Sequence, residues 1–570
     1  MKIIGINNEM FISSASLIDN GKIIAAGAEE RFSRNKLTRA FPQKAIAYCL
    51  KEAGLKIGEI DYIAVSLNPG VYFAKFNPVF SGKRRHRIEQ LYSVPDYLMH
   101  FYGRPSVDYM YQEVVGDFGK NRVYFVVHHR AHAANGFFLS PFSSAAILTA
   151  DAQGEFESTT FCHGQGNKIN LIKGINYPHS LGALYSTFTE FLGFKANSDE
   201  WKVMALASYS DPYNKFYKLL KAEVIKFQDD GRFELNLSYF KGFIHDQPNL
   251  YTEKLVEIFG GARERNEELQ EHHFEIAAAM QKVSEEAVVH LLNWLFQQTR
   301  EKNLVLSGGF FMNSVFNGKV LELTPFENLF ISSCPDDSGN CFGAALYLYN
   351  HILGEDRGVP MSHNYYGPQY TNKEIEETLK GYNLNYTYEE QISQKVAKLL
   401  SEGNIIGWFQ GRMEFGQRAL GNRSILADPR KGDMKDKVNR AVKFRESFRP
   451  FAPAVLKEKQ KEYFEIGRGG DVPFMEKVYP VIPDKQDKIP AVVHVDGSGR
   501  IQTVTKELNP KFYSLIEEFE KITHVPIVLN TSFNLNGEPI VCTPNDAIKT
   551  FYSCGLDVLV LGNYIVQKGS

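Results

Sequence analysis

The chain has 570 residues, of which 44% are hydrophobic and 23% charged, values of folded protein that exclude a disordered or fibrous polymer. Single cores stop growing at about 250–300 residues, so at least two domains are expected. Lys+Arg at 64 against Asp+Glu at 66 leaves a net charge of -2, which excludes a protein held to nucleic acid mainly by phosphate contacts. The 6 cysteines are scattered, with no CxxC pair, and a chain this large needs no covalent staples, so reduced thiols are expected. No apolar run reaches the roughly 18 residues of a transmembrane helix, and the first residues lack a secretory pattern. The expectation is a cytoplasmic protein with neither membrane nor nucleic acid as partner.

In chain order, Lys2–Asn7, Ser14–Ile18 and Lys22–Ala26 read as three strands, with Asn20-Gly21 as a hairpin turn. A helical pattern follows from Pro42 to Ala53. A second strand group runs through Ala145–Asp151, Glu157–His163 and Ile169–Ile172, with a glycine turn between the last two. In both groups a buried strand ends at a short polar residue and a hairpin returns, which is an internal duplication with a period too long for a solenoid. A long helix is expected over Phe274–Arg300, then strand–turn–helix units at Asn303–Gly309 and from Leu329–Ser332 into Gly343–Ala345. Strands alternating with helices imply α/β layers, and the duplicated hairpin unit suggests the nucleotide-binding fold of actin and sugar kinases. From about Gly354 the composition turns to Gly, Pro, His, Asn and Tyr, a linker reading. A helix at Lys373–Lys380 and strands at Ile405–Phe409, Val492–Val495, Pro526–Asn530 and Val558–Leu561 then build a second domain. The expected division is residues 1–355, a linker at 356–372, and residues 373–570.

His128-His129-Arg130-Ala131-His132 carries the sharpest local chemistry. His128 and His132 stand four apart, so a helix presents both imidazoles on one face, as zinc or another transition metal requires. Taken alone, such a pair more often sits on an ordinary helix surface. Asp151 and Asp337 end strands, and a mixed His-His-Asp-Asp set suits iron(II), manganese or zinc. Gly154, Gly308 and Gly309 lie in loops after apolar strands, where backbone N–H groups can approach phosphate; neither loop is a P-loop. In the second domain Arg412, Arg418 and Arg423 form one cationic stretch, and Lys443, Arg445 and Arg449 another. Interleaved aromatic and proline residues favour a fixed pocket over a solvated face, and guanidinium forks match phosphate oxygens.

Together these strings resemble the ATP-dependent O-carbamoyltransferases of antibiotic and nodulation-factor biosynthesis. The resemblance is carried by Glu29–Lys36, His128–Ala133, Lys202–Ala207, Ser307–Asn313, Gly416–Gly421, Phe448–Pro453 and Leu529–Asn534. It implies a duplicated actin/RNase H-like, TsaD-type ATPase domain followed by a YrdC-like α/β domain. It implies that carbamoyl phosphate is cleaved in the second domain and that carbamate and ATP give carbamoyl adenylate and pyrophosphate. The first domain then passes the carbamoyl group to an acceptor hydroxyl on a small molecule or sugar. By the same resemblance Arg418, Lys443 and Arg449 are catalytic and, with Arg500, Asn530 and Ser532, bind carbamoyl phosphate. Lys36, Gly154, Lys202, Gly308, Gly309 and Asn313 bind ATP, and His128, His132, Asp151 and Asp337 hold the metal. Iron(II) is the first choice, with manganese or zinc as substitutes and magnesium as a further candidate. A homodimer is left open. The competing readings are a kinase or ATPase of the actin superfamily without carbamoyl chemistry, and a non-catalytic nucleotide- and metal-binding protein.

One position departs from the family pattern. Relatives carry a His-Asp pair shortly after the first strand; counting back from Gly21, this chain has Phe11 and Ile12 there, and no histidine before His86. Neither side chain can take a hydroxyl proton, so a base from elsewhere or an amine acceptor is expected. The aromatic-rich stretch from Gly70 to Asp117 is a candidate lining for the acceptor.

Overall fold

The computed structural model describes residues 1–8, 11–68, 122–243, 247–443 and 448–568; the Gly70–Asp117 expectation and Arg445 lie outside them. Compact unit 1 comprises Met1–Ile24, Arg39–Asn313 and Lys319–Pro360, and unit 2 comprises Ala25–Thr38, Ser314–Gly318 and Met361–Ser570. Among the described residues no helix is long and apolar enough to cross a membrane.

The first sheet takes β1 (Lys2–Asn7), β2 (Ser14–Asp19), β3 (Lys22–Ala28), β4 (Tyr62–Val65) and β5 (Val123–Phe125) in the order β3-β2-β1-β4-β5. Asn20 and Gly21 turn the hairpin with φ of 47° and 76°, the left-handed pair that a tight hairpin needs. β1 is antiparallel to β2 and parallel to β4. The second sheet takes β6 (Ser144–Ala150), β7 (Glu157–Gln165) and β8 (Lys168–Asn176), and after a small hairpin of β9 (Ile225–Phe227) and β10 (Phe233–Leu235), β11 (Asn303–Ser307) and β12 (Asn328–Ile331). Its order is β12-β11-β6-β7-β8, with β6 antiparallel to β7 and parallel to β11. Each sheet is thus an antiparallel hairpin meander whose first strand continues into two parallel strands. The same plan occurs twice, which is the duplicated actin/RNase H-like fold expected from the sequence.

The duplication extends to the helices. His128–Phe137 follows the fifth strand of the first repeat, and Asn340–Leu346 follows the fifth strand of the second. These two helices pack closely because one contact has no room for a side chain. A Cβ on Gly343 would lie 1.9 Å from the Ala131 carbonyl oxygen, and one on Gly5 of β1 would lie 1.8 Å from that of Cys341. Glycine is required at both places by approach, not by φ.

Unit 2 is built on a mixed eight-stranded sheet in the order β13-β22-β21-β14-β15-β20-β16-β19. The strands are β13 (Thr387–Tyr388), β14 (Ile406–Phe409), β15 (Arg423–Ala427), β16 (Ala452–Leu456), β19 (Gln502–Val504), β20 (Ile527–Ser532), β21 (Val558–Leu561) and β22 (Tyr564–Gln567), with β17 (Val478–Pro480) and β18 (Ser498–Arg500) paired separately. Helices cover the sheet over two apolar cores, one around Phe451, Phe533 and Phe551 and one around Trp408, Phe512 and Phe519. The helix expected at Lys373–Lys380 spans Asn372–Gly381, started by a capping box in which Thr371 and Glu374 satisfy each other's backbone N–H. The strand expected at Val492–Val495 is absent. Pro490 opens a 3-10 turn at Pro490–Val492 instead, and the His494 N–H donates to the Ser498 carbonyl across a turn. A proline start and the Asp496-Gly497 turn outweigh the valine run.

Gly343→Val should destabilise the chain by about 3 kcal/mol through overpacking, read as a lower midpoint of thermal unfolding. Gly58→Ala, where nothing lies within 4 Å of the added Cβ, should change stability by only about 0.5 kcal/mol.

Candidate functional site

In unit 1 the helix His128–Phe137 buries both histidines completely. His128 and His132, one turn apart, bring their Nε2 atoms to 3.1 Å. Asp151, the first residue beyond β6, and Asp337, just before the helix Asn340–Leu346, meet them. His132 Nε2 is 2.8 Å from Asp151 Oδ2 and 3.3 Å from Asp337 Oδ1. His128 Nε2 is 3.7 Å and 3.3 Å from the same two oxygens. Donor atoms of a shell with metal–ligand bonds of about 2.0–2.1 Å stand about 3.0–3.4 Å apart, so this spacing fits an ion at the centre. Asp151 Oδ2 accepts no well-aligned hydrogen bond although it is buried. Its lone pairs therefore suit a cation, and the two nitrogens and two oxygens suit iron(II), manganese or zinc.

The electrostatics agree. Burial works against charge on His128, but the Asp337 and Asp151 carboxylates outweigh it and raise the imidazole well above its ordinary value. His132 rises for the same reasons, with Asp151 the main partner. Burial also opposes charge on Asp151, yet the adjacent His128 and His132 imidazoles hold its carboxyl well below the usual range. The two imidazoles and Asp151 stabilise one another's charged forms in a place that would otherwise exclude them. His129 differs. Burial, and then its two flanking histidines, lower it well below the ordinary value, and its Nδ1 lies 2.7 Å from Thr149 Oγ1.

Two residues at this site, Glu155 and Asn340, carried no sequence signal of their own. Glu155 is fully buried and accepts the His128 N–H on both oxygens, each at 3.0 Å, which caps the helix that carries the histidines. Burial raises its carboxyl. Asn340 places Nδ2 3.1 Å from His132 Nε2. The Phe11 N–H donates to Asp337 Oδ2 at 3.0 Å, so the position that departs from the family pattern lies against a candidate ligand.

The nucleotide candidates divide. Gly308 turns with φ of 107°, and a Cβ there would fall 2.1 Å from the Ala150 carbonyl; one on Gly309 would fall 3.0 Å from Asp151 Oδ1. The Gly-Gly turn therefore abuts the His/Asp cluster. Gly154 lies against His129 in the same way. The Asn313 amide exchanges hydrogen bonds with Gln281 at 2.9 and 3.2 Å, and Gln281 also accepts from Tyr185. Lys202 pairs with Asp199 at 3.0 Å. Lys36 is exposed and belongs to unit 2, whose Arg34 side chain donates to the carbonyls of Ile540 and Pro539.

Within unit 2 the loop Gly411–Arg423 is held from inside. One oxygen of buried Glu414 accepts the N–H groups of Leu420, Asn422 and Arg423. The fully buried Arg423 guanidinium donates to the carbonyls of Gln410, Gly411, Asn422 and Pro368 and stacks on Phe409 at 3.6 Å. Arg423 is thus a structural cation, while Arg418 on the same loop is half-buried. Lys443 is buried, its ammonium donating to Ser532 O at 2.5 Å and to Asn534 Oδ1 at 2.9 Å. Asn530 and Ser532 alternate onto one face of β20. Arg449 is buried before β16, and Arg500 ends β18. Burial pushes nearby His494 down to about 4, with Asp496 opposing and Arg500 and Lys435 adding to the fall.

A family model described as the carbamoyltransferase N-terminus matches residues 2–346, and one described as the carbamoyltransferase C-terminus matches residues 397–568. The chain belongs to the carbamoyltransferase family. It is 39% identical to an uncharacterized Synechocystis protein, sll1178, over 99% of this chain and 96% of that one. It is 35% identical to nodulation protein NolNO of Sinorhizobium fredii, over 99% of this chain and 80% of the relative. Among solved structures, component A of the Acidaminococcus fermentans (R)-2-hydroxyglutaryl-CoA dehydratase aligns with TM-score 0.33 at 14% identity, over 61% of this chain and 97% of its own. T. kodakarensis HypF aligns with TM-score 0.31 at 14% identity, over 61% and 47%. This carbamoyltransferase is accordingly a transferase with its two family parts in one chain.

The double substitution His128→Ala/His132→Ala should reduce the metal content of purified protein to background by elemental analysis. Far-UV circular dichroism should remain that of the parent, because alanine keeps the helix.

Proposed function

We propose that the protein is an ATP-dependent carbamoyltransferase that forms carbamoyl adenylate from carbamoyl phosphate and ATP. It then carbamoylates a hydroxyl or amine on a small molecule or sugar. The observation that carries the reading is the buried cluster of His128, His132, Asp151 and Asp337 beside the Gly308-Gly309 turn, in a chain whose second unit holds Arg449 and Lys443 buried.

Each role follows from chemistry. Carbamoyl phosphate is a small dianion, and Arg418, Arg449 and Arg500 supply guanidinium forks that match its phosphoryl oxygens. Their fixed positive charge neutralises what develops as water cleaves the phosphate from carbamate. Carbamate is a poor acyl donor. Its oxygen attacks the α-phosphorus of ATP and displaces pyrophosphate, so the carbamoyl carbon acquires AMP as leaving group. The Gly308 N–H donates to the Pro335 carbonyl and fixes the turn, and the Gly309 N–H, with Asn313 oriented by Gln281, holds the nucleotide's anionic part. His128, His132, Asp151 and Asp337 would hold iron(II), manganese or zinc, which supplies Lewis acidity and charge neutralisation there. Acceptor attack on the carbamoyl carbon then releases AMP, and the acceptor's proton has to leave.

Phe11 bears on that last step. A phenyl ring takes no proton, and its backbone N–H is spent on Asp337. The base is therefore supplied by another group, or the acceptor is an amine, which attacks as a neutral nucleophile and loses its proton afterwards. Adenylate formation does not depend on that base.

Radiolabelled carbamoyl phosphate with ATP and metal should yield pyrophosphate and carbamoyl adenylate with no acceptor present. ADP in place of pyrophosphate would identify a kinase-type reaction, and no product under any metal would remove the catalytic reading. Arg449→Ala should cost about 2–4 kcal/mol of transition-state stabilisation, read as slower phosphate release from carbamoyl phosphate. Arg449→Lys should be nearly as slow, because a point charge does not replace a fork.

A further inference from the structure

Two side-chain amides in unit 2 form a chain whose orientation is fixed by two backbone carbonyls that can only accept. Gln502 begins β19 and is 2% exposed; Asn530 lies on β20 and is 1% exposed. Gln502 Nε2 donates to the Leu420 carbonyl at 3.0 Å. A backbone carbonyl has no proton to give, so the nitrogen end of Gln502 must face it and Oε1 must face the other way. That oxygen accepts from Asn530 Nδ2 at 2.8 Å, and the same Nδ2 reaches the Ala419 carbonyl at 3.3 Å. With both of its neighbours acceptors, Asn530 cannot reverse its amide. Its remaining polar atom is therefore a carbonyl oxygen. Asn530 Oδ1 is buried, and among the described residues no donor reaches it.

We infer that Gln502 is a positioning residue that locks Asn530 with its oxygen presented as an acceptor, and that this selects an acyl phosphate bearing N–H over one bearing only C–H. The inference rests on the proposed carbamoyl phosphate reading of this site and deepens it. Carbamoyl and acetyl phosphate have the same charge and almost the same shape, and differ by NH2 against CH3. The cationic groups cannot tell them apart, because the phosphate ends are identical. A buried acceptor can: the amino group satisfies it, whereas a methyl group leaves it unpaired in a place water does not compensate. Ala419 and Leu420, whose carbonyls fix the two amides, belong to the loop that bears Arg418. The loop that bears Arg418 thus also holds the two amides in place.

The test compares phosphate release from carbamoyl phosphate and from acetyl phosphate by the full chain, read as the ratio of kcat/KM values. Wild-type protein should favour carbamoyl phosphate by about a hundredfold or more. Gln502→Met removes the lock while keeping a stem of similar length, so Asn530 can turn and the ratio should fall at least about tenfold. Gln502→Glu keeps an acceptor for Asn530 Nδ2, so any added repulsion slows both substrates alike and the ratio should stay within about threefold of wild type. A folded Gln502→Met protein with the wild-type ratio overturns the inference, as does a wild-type protein that treats both substrates equally. If Gln502→Met does not fold, loss of preference in Gln502→Glu overturns it instead. Wild-type protein inert toward carbamoyl phosphate would mean failure of the functional reading itself, a different result.

Discussion

Two carboxylates and two imidazoles buried within one cluster are tolerable only if they meet. Isolated, each would pay several kcal/mol of desolvation in a folded interior; together each becomes the other's counter-charge. The requirement therefore falls on the backbone, which has to bring a helix from one repeat against a helix from the other. Gly343 beneath the Ala131 carbonyl and Gly5 beneath that of Cys341 meet it by leaving out a Cβ at each crossing. Duplication supplies the rest, since the polar residue just past the first strand is Asp151 in the second repeat and Asn8 in the first. Only the second repeat contributes a charged group at that place. The first contributes the histidines instead, on the helix that follows its fifth strand.

Unit 2 solves a different problem, that of fixing a loop rich in cations without fraying it. Glu414 accepts three N–H groups of the loop backbone, those of Leu420, Asn422 and Arg423, from within. Arg423 gives its terminal guanidinium N–H groups to backbone carbonyls and its face to Phe409. A buried arginine used this way satisfies acceptors that would otherwise be orphaned.

Much of this was legible in the sequence because it depends on local pattern. The four-residue spacing of His128 and His132 sets their common face, and short polar residues after apolar strands mark the ends where sites gather. The duplicated hairpin was readable from alternation and from Asn20-Gly21. Val492–Val495 misled, because a valine run has strand propensity whether or not a preceding proline permits a ladder. Glu155, Asn340 and Gln502 were silent for another reason. Their importance lies in which donor or acceptor faces them across the fold, and an isolated Glu, Asn or Gln in a sequence gives no hint of that.

The assignment of Ala25–Thr38 to the unit that contains Met361–Ser570 has a consequence for how such a protein can be divided. Arg31 donates to the Gly416 carbonyl, Arg34 pairs with Asp546, and Phe32 covers the small core of Met413, Ala419, Ile540 and Cys542. A fragment starting at Met361 would lose all three and lay bare apolar surface beside the very loop that carries Arg418. The two halves are thus not interchangeable cassettes. Recombination between relatives at the middle of the chain would have to carry a short N-terminal piece along with the C-terminal half, or accept a damaged loop.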